Sequence, residues 1–226
     1  MKSVERTLGG LPALHVGSHD PRALVVLMHG YAMQPSDLEP FAHSLGIRAE
    51  FYFPRGPQSA PNGARAWWPI DEERRSAQIA AGPRDLFEES PPHRPDARQA
   101  LVRFLTAART VHPTLPLVLG GFSQGGMLAC DTLLCAHETV AALVMLSSSR
   151  IAFSEWLPHR QRLTELPVFV SHGQADVDLS FAAGENLRDF FGSNGARVTW
   201  QPFEGGHEIP LVVWRALRRF LSELPA

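Results

Sequence analysis

Cysteine is scarce: Cys130 and Cys135 are the only two in 226 residues, and they lie five apart in a segment of helical character. Side chains at that spacing face different sides of a helix, which disfavours a bridge and suits two buried thiols in a reducing compartment. An excess of either charge is absent too, with 21 Lys+Arg against 23 Asp+Glu and a formal net charge of -2. No window gathers basic residues with interleaved aromatics, so nucleic acid is not an expected partner. No run reaches the roughly 20 apolar residues of a membrane span. The opening MKSVERTLGGLPAL lacks the apolar core of a secretory signal. The expectation is a soluble, cytoplasmic protein with one α/β domain over residues 1–226.

What the chain does have is alternation. Leu24 to Met28 is a continuous apolar run ending at His29-Gly30, the pattern of a strand buried on both faces. Ser36 and Glu39 have the spacing of a capping box and predict a helix to about Leu45. Glu50 to Pro54 is a second strand candidate, and the following RGPQSAPNGARAWWPID reads as an ordered surface loop. Gly82 to Pro95 holds four prolines, and a solvated connector is favoured there over a cap beside a functional site.

Over Asp96 to Val111, Ala97, Leu101, Leu105 and Ala108 recur at helical spacing, with Asp96 and Gln99 suited to cap the start. An apolar run then ends at Gly120, and a helix is expected from about Gln124 to Ala136. Strands at Ala141 to Leu146 and Val168 to Val170, a helix near Phe181 to Phe191 and a strand near Arg197 to Phe203 continue the pattern. A closing helix from about Pro210 should present Leu211, Trp214, Leu217 and Leu221 to the core. Strand followed by helix, without internal repeats, implies a mostly parallel central sheet with helices on both faces. In such sheets the working residues gather at the carboxyl ends of the strands.

One of those strand ends reads Gly121-Phe122-Ser123-Gln124-Gly125. A strand that reverses into a helix within about one residue forces its apex into a strained conformation, usually of positive φ. Flanking glycines remove the Cβ atoms that would collide, and G-x-S-x-G is the nucleophile-elbow pattern. A serine hydroxyl needs a base to take its proton and an acid to orient that base, in the chain order serine, acid, histidine. Asp176 follows the strand at Val168 to Val170 and is the preferred acid. Asp178 competes two residues on, and either aspartate could instead cap the next helix. His207 stands on Gly205-Gly206 after the strand ending at Phe203 and is the candidate base. His29 and His172 each precede a glycine turn and read as structural hydrogen-bonders. The amides of Gln124 and Tyr31 are the candidate donors to an oxyanion.

Leu27-Met28-His29-Gly30, Gly121-Phe122-Ser123-Gln124-Gly125-Gly126, His172-Gly173-Gln174-Ala175-Asp176 and Gly205-Gly206-His207-Glu208 together resemble the phospholipase/carboxylesterase family of α/β-hydrolases. That family includes bacterial carboxylesterases and acyl-protein thioesterases, and the resemblance runs from Val25 to Leu221. It implies an α/β-hydrolase fold, a Ser123-Asp176-His207 triad with Tyr31 and Gln124 as oxyanion donors, and hydrolysis without metal or cofactor. It also implies, in many members, a homodimer. Phe53 to Pro57 and Trp67 to Asp71 look like the family's segments beside the acyl pocket, which would make Trp67, Trp68 and Phe122 substrate-binding. Packing aromatics are the equal alternative for the two tryptophans. HGQADVDLS departs from the pattern in lacking the proline and valine pair after the acid, HGYAMQP lacks the usual Gly-Asp, and the chain between Asp71 and Pro95 is unlike acyl-protein thioesterases. The leading expectation is a carboxylesterase acting through an acyl-enzyme on Ser123. A lysophospholipase or acyl-protein thioesterase for long acyl groups comes second, and a non-catalytic small-ligand-binding module third.

Overall fold

The computed structural model describes residues 2–224. β1 (Val4–Leu8) and β2 (Leu11–Val16) form a hairpin across Gly9-Gly10, and β3 (Ala23–Met28) leads to α1 (Glu39–Ser44). β4 (Ala49–Pro54) precedes the short β5 (Gln58–Ser59) and β6 (Arg65–Ala66), then α2 (Glu72–Ala81) and α3 (Arg94–Val111). The second half alternates strictly: β7 (Leu117–Phe122), α4 (Gln124–Cys135), β8 (Ala142–Leu146), α5 (Phe153–Trp156), β9 (Pro167–Gly173), α6 (Phe181–Ser193), β10 (Arg197–Phe203) and α7 (Leu211–Ser222).

Eight strands make one sheet in the order β1-β2-β4-β3-β7-β8-β9-β10. It is parallel from β4 through β10, with β1 and β2 added antiparallel at one edge. Because successive strand residues point to opposite faces, one apolar strand feeds two cores. Leu24, Val26 and Met28 of β3 pack with Leu101 and Phe104 of α3 and Leu128 of α4, while Val25 and Leu27 pack with Phe41 of α1 and Leu217 of α7. That arrangement puts the carboxyl ends of β3, β7, β9 and β10 on one edge, where their following loops meet.

Several sequence expectations shift. The hairpin was not legible, because β1 (VERTL) is exposed from Val4 to Thr7 and only Leu8, half-buried, packs against the core, so backbone pairing with β2 supplies most of its attachment. The capping box near α1 lies two residues earlier than expected: Asp37 accepts from the Gln34 amide at 2.8 Å, and a short 3-10 turn at Pro35–Asp37 precedes α1. α2 arises where no helix was expected, its start fixed by the Asp71 carboxylate accepting from the Arg74 amide. α3 begins at Arg94 with Pro95 in its first turn, ahead of Asp96, and buries Ala97, Leu101, Leu105 and Ala108 as expected. In α7 the buried positions are Val213, Leu217 and Phe220, whereas Leu211 is 61% exposed. Trp214 is half-buried, its ring stacked 4.1 Å from Phe41. Cys130 and Cys135 are both free thiols.

Candidate functional site

The turn from β7 into α4 holds Ser123 at φ 51° and ψ −117°. For a residue with a Cβ this is strained backbone, sustained only where the surroundings over-determine it. They do so here: the Ser123 amide donates to Leu146 O at 2.8 Å, and its carbonyl accepts from Ser148 Oγ at 2.9 Å and the Met127 amide at 3.1 Å. A Cβ at Gly125 would sit 2.2 Å from Met28 O, and one at Gly121 2.5 Å from the same oxygen. Both positions must therefore be glycine for α4 to close against the end of β3.

Gln124, buried at the start of α4, ties a second loop to this turn. Its Oε1 accepts from the Trp67 amide at 2.8 Å and its Nε2 donates to Trp68 O at 2.9 Å. Its backbone amide, like that of Tyr31, donates no hydrogen bond among the described residues. His29 completes the support: its Nδ1–H donates to Gly30 O at 2.7 Å, and its Nε2 accepts from the Gly56 amide at 2.9 Å. Burial pushes its imidazole down to about 4, so the ring is neutral and serves as structure. Burial, helped by the Glu72 carboxylate, pushes the Tyr31 phenol up to about 12, which keeps it a neutral hydroxyl.

At the ends of β9 and β10 the acid and the histidine meet. Asp176 Oδ1 accepts from the amides of Asp178 and Leu179, both at 2.9 Å, and Oδ2 accepts from His207 Nδ1 at 2.6 Å. Asp176 is thus buried but satisfied, with a fixed orientation for the histidine it holds. His172 donates from Nε2 to Leu179 O at 3.0 Å and lies 3.4 Å from Asp176 Oδ2. Burial lowers its pKa from the ordinary range. The competing acid, Asp178, is engaged elsewhere, by Arg75 and Arg84 together. Burial alone would raise its carboxyl, but the two guanidiniums hold it below the usual carboxylate range.

Ser123, Gln124, Tyr31, Phe122 and His207 all border one cavity of about 480 Å³. The Phe122 ring leans on His207 with centroids 4.8 Å apart. Trp68 forms part of the wall, while Trp67 is fully buried outside it, its indole N–H donating to His29 O at 2.9 Å. One side of the cavity is apolar, built by Met33, Leu38, Phe41 and Trp214. The other carries Ile70 and Leu86 beside the Arg75, Arg84 and Asp178 cluster.

The segment from Gly82 to His93 supplies much of that second side and corrects the expectation of a solvated connector. The Arg84 amide donates to Asp178 O at 2.9 Å and Arg84 O accepts from the Ser180 amide at 2.8 Å. The Asp85 carboxylate accepts from Ser149 Oγ, Arg150 and Asn186 at 3.0–3.1 Å, and Glu89 O accepts from the Ala152 amide at 2.8 Å. It is an anchored strap. Its partners lie some 60 to 100 residues away, so no local pattern announced it. The Arg75, Arg84 and Asp178 cluster escaped sequence reading for the same reason.

The sequence pattern of the family described as Phospholipase/Carboxylesterase matches residues 12–224. Acyl-protein thioesterase 1 of Neurospora crassa is 33% identical over 115 residues, which covers 49% of this chain and 47% of that protein. The protein of the same name from Mycosarcoma maydis is 34% identical over 86 residues, 34% of this chain and 33% of its own length. The matched stretch thus spans about half or less of these curated relatives. Among solved structures, esterase PE8 is similar over all of both chains, with a TM-score of 0.78 at 23% identity. A carboxylesterase from Mesorhizobium loti covers 98% of this chain and 99% of its own, with a TM-score of 0.77 at 18% identity. Acyl-protein thioesterase 2 of Zea mays covers 93% and 97%, with a TM-score of 0.73 at 19% identity. At such identities the likeness is one of fold, and the fold is that of the α/β-hydrolases.

Proposed function

The chain belongs to the phospholipase/carboxylesterase family, and we propose that it is a serine esterase that hydrolyses carboxylic esters through an acyl-enzyme on Ser123. In this reading Ser123 Oγ attacks the ester carbonyl while His207 Nε2 takes its proton. His207 Nδ1–H stays on Asp176, which orients the ring and stabilises its charged form. The oxyanion lies between the Gln124 and Tyr31 amides, each worth about 3–4 kcal/mol to the transition state where such donors have been removed in other enzymes. His207 returns the proton to the departing alcohol, and water, activated the same way, releases the acid.

The observation that carries this reading is the 2.6 Å bond between His207 and Asp176 on the cavity that also holds a serine at φ 51°. Initial rates on p-nitrophenyl esters from acetate to palmitate, with Ser123→Ala as control, test it. Full hydrolysis by the variant would refute the assignment. Failure of Ser123 to label with a serine-directed phosphonate would favour a ligand-binding module instead.

A second reading, hydrolysis of long-chain lysophospholipids or protein S-acyl groups, draws support from the apolar wall of Met33, Leu38, Phe41 and Trp214. The fungal relatives named acyl-protein thioesterase add to it. Rates that peak at long chains would favour it, and rates confined to acetyl and butyryl esters would count against it. We place the activity in the cytoplasm, in line with free thiols at Cys130 and Cys135. None of the described helices is long and apolar enough to cross a membrane. Cell fractionation tests the location, and light scattering tests the homodimer that the family resemblance suggests.

A further inference from the structure

At the antiparallel edge of the sheet, outside the cavity, His15, Glu50 and His112 each bring one donor atom to within 4.8 Å of the others. They come from three elements: β2, β4 and the residue just past α3. His15 is paired in register with Tyr52 and stacks on its ring at 4.4 Å, so Glu50, two residues before Tyr52, falls on the same face of the sheet. His15 Nε2 bonds Glu50 Oε2 at 2.5 Å, and His112 Nε2 bonds the Tyr52 hydroxyl at 3.0 Å.

Three features set this cluster apart from a plain polar contact. A Cβ on Gly17 would stand 2.9 Å from Glu50 Oε2 and 3.3 Å from His15 Cε1, so the glycine leaves the carboxylate room to turn. Ser18 Oγ, next to that glycine, is buried with no hydrogen-bond partner among the described residues. Buried polar atoms are normally satisfied, and an exception calls for an explanation such as a water or an ion. The donor set is also selective: two imidazoles and one carboxylate suit a borderline transition metal, whereas calcium and magnesium take oxygen ligands.

We propose that His15, Glu50 and His112 form a structural site for a divalent transition-metal ion of the zinc class, tying the antiparallel edge to the end of α3. Ligands on a tetrahedral zinc at about 2.0–2.2 Å are roughly 3.3 Å apart, so rotations of an ångström or so bring the three donors into place. Capture exchanges the two hydrogen bonds for coordination bonds, and the Tyr52 hydroxyl or a water takes the fourth position. None of the three residues borders the cavity, so this site and the esterase reading stand or fall separately.

Chelator-stripped full-length protein, titrated with zinc chloride in a calorimeter, should bind one equivalent and gain thermal stability. Glu50→Gln and His112→Ala should each weaken binding by about tenfold or more. His159→Ala, which breaks the exposed His137–His159 pair at 3.3 Å, should leave it unchanged. Far-UV circular dichroism and a cooperative urea transition, which do not depend on any activity, report whether each variant is folded. X-ray absorption on the zinc-loaded unaltered protein needs no variant and should show two imidazoles with oxygen neighbours. Absence of stoichiometric binding, full affinity in both His112→Ala and Glu50→Gln, loss in His159→Ala, or a sulfur neighbour would each overturn the proposal.

Discussion

The turn around Ser123 and the stretch from α2 through the strap border the same cavity, yet they are held there by opposite means. Every residue of α4 from Gln124 to Leu134 is buried, whereas α2 buries none. The first is fixed by close packing that leaves no room for a single methyl group at Gly121 or Gly125. The second is tethered by polar bonds: the strap by backbone hydrogen bonds at Arg84 and Glu89, and α2 by charge, Arg74 to Glu89 and Arg75, with the strap's Arg84, to Asp178. Packing at that density admits one arrangement, which the proposed nucleophile and oxyanion donors would require. An exposed pair such as Arg74–Glu89 is worth about 0–1 kcal/mol. Even the more sheltered pairs on Asp178 give α2 no apolar packing of its own, so the segment is left freer to loosen than α4. In the proposed reaction, chemistry belongs to the packed region and the fit of the substrate's distal part to the tethered one.

The sharpest way to break the contrast is to mutate both regions and compare. Ser123→Ala should lower kcat on p-nitrophenyl esters by at least about 10³-fold with the fold intact. Substitutions confined to α2 should change it only a few fold. Gly125→Ala should cost about 3 kcal/mol in urea unfolding, because the new methyl meets the backbone at Met28 rather than a side chain that can rotate away. Ser76→Ala, at an exposed position of α2, should stay within about 0.5 kcal/mol of the parent.

Acid should reach the packed region first. The His29 ring is neutral when folded, its pKa lowered by burial to about 4, while an unfolded histidine titrates near 6.5. Between those values the unfolded chain binds more protons, so this contribution is complete above about pH 6.5 and is lost as the pH falls toward 4. The loss should total about 3 kcal/mol, read as a falling urea midpoint. His29→Gln, which cannot take up the proton, should flatten that slope. The Asp178 carboxyl, lowered by its two guanidiniums, keeps its charge to lower pH than an ordinary aspartate and holds the tether through this range. A stability flat from pH 7 to 4 in the unaltered protein would remove His29 from the packed region's support.

The same contrast governs what could be read in the sequence. β3, β7 and β8 were visible because a strand buried on both faces must be continuously apolar, and the Ser123 turn because its glycines and serine are adjacent. The ordering of Asp176 and His207 after two further strands was equally local information, and the structure brings those two side chains together. β1 left no trace because VERTL has no buried face, and α2 none because EERRSAQIAA has no apolar stripe. Trp67 and Trp68 mark the limit: adjacent and chemically identical, one supports His29 from behind and the other faces the cavity. Residue type does not separate them. The Gln124 side chain, bonded to both of their backbones from 56 and 57 residues away, and the Trp67 indole bond to His29 O together fix which is which.

Salt should separate the regions in the direction opposite to acid, and with the smallest effect. At about 1 M salt the screening length falls to about 3 Å, which weakens partly exposed pairs far more than packed apolar contacts. Amide exchange across residues 72–81 should then quicken about fivefold, matching about 1 kcal/mol of lost attachment, while the exchange of α4 stays unchanged. Asp178→Asn should give the faster exchange already at low salt and abolish most of the further response, since it removes the carboxylate that Arg75 and Arg84 share. If the tether also sets how the far side of the cavity closes, the same variant should lower KM for bulky esters more than for acetate, at nearly constant kcat. Equal salt responses in α2 and α4 would mean that α2 is held by something other than charge, and the division between a packed region and a tethered one would lose its physical basis.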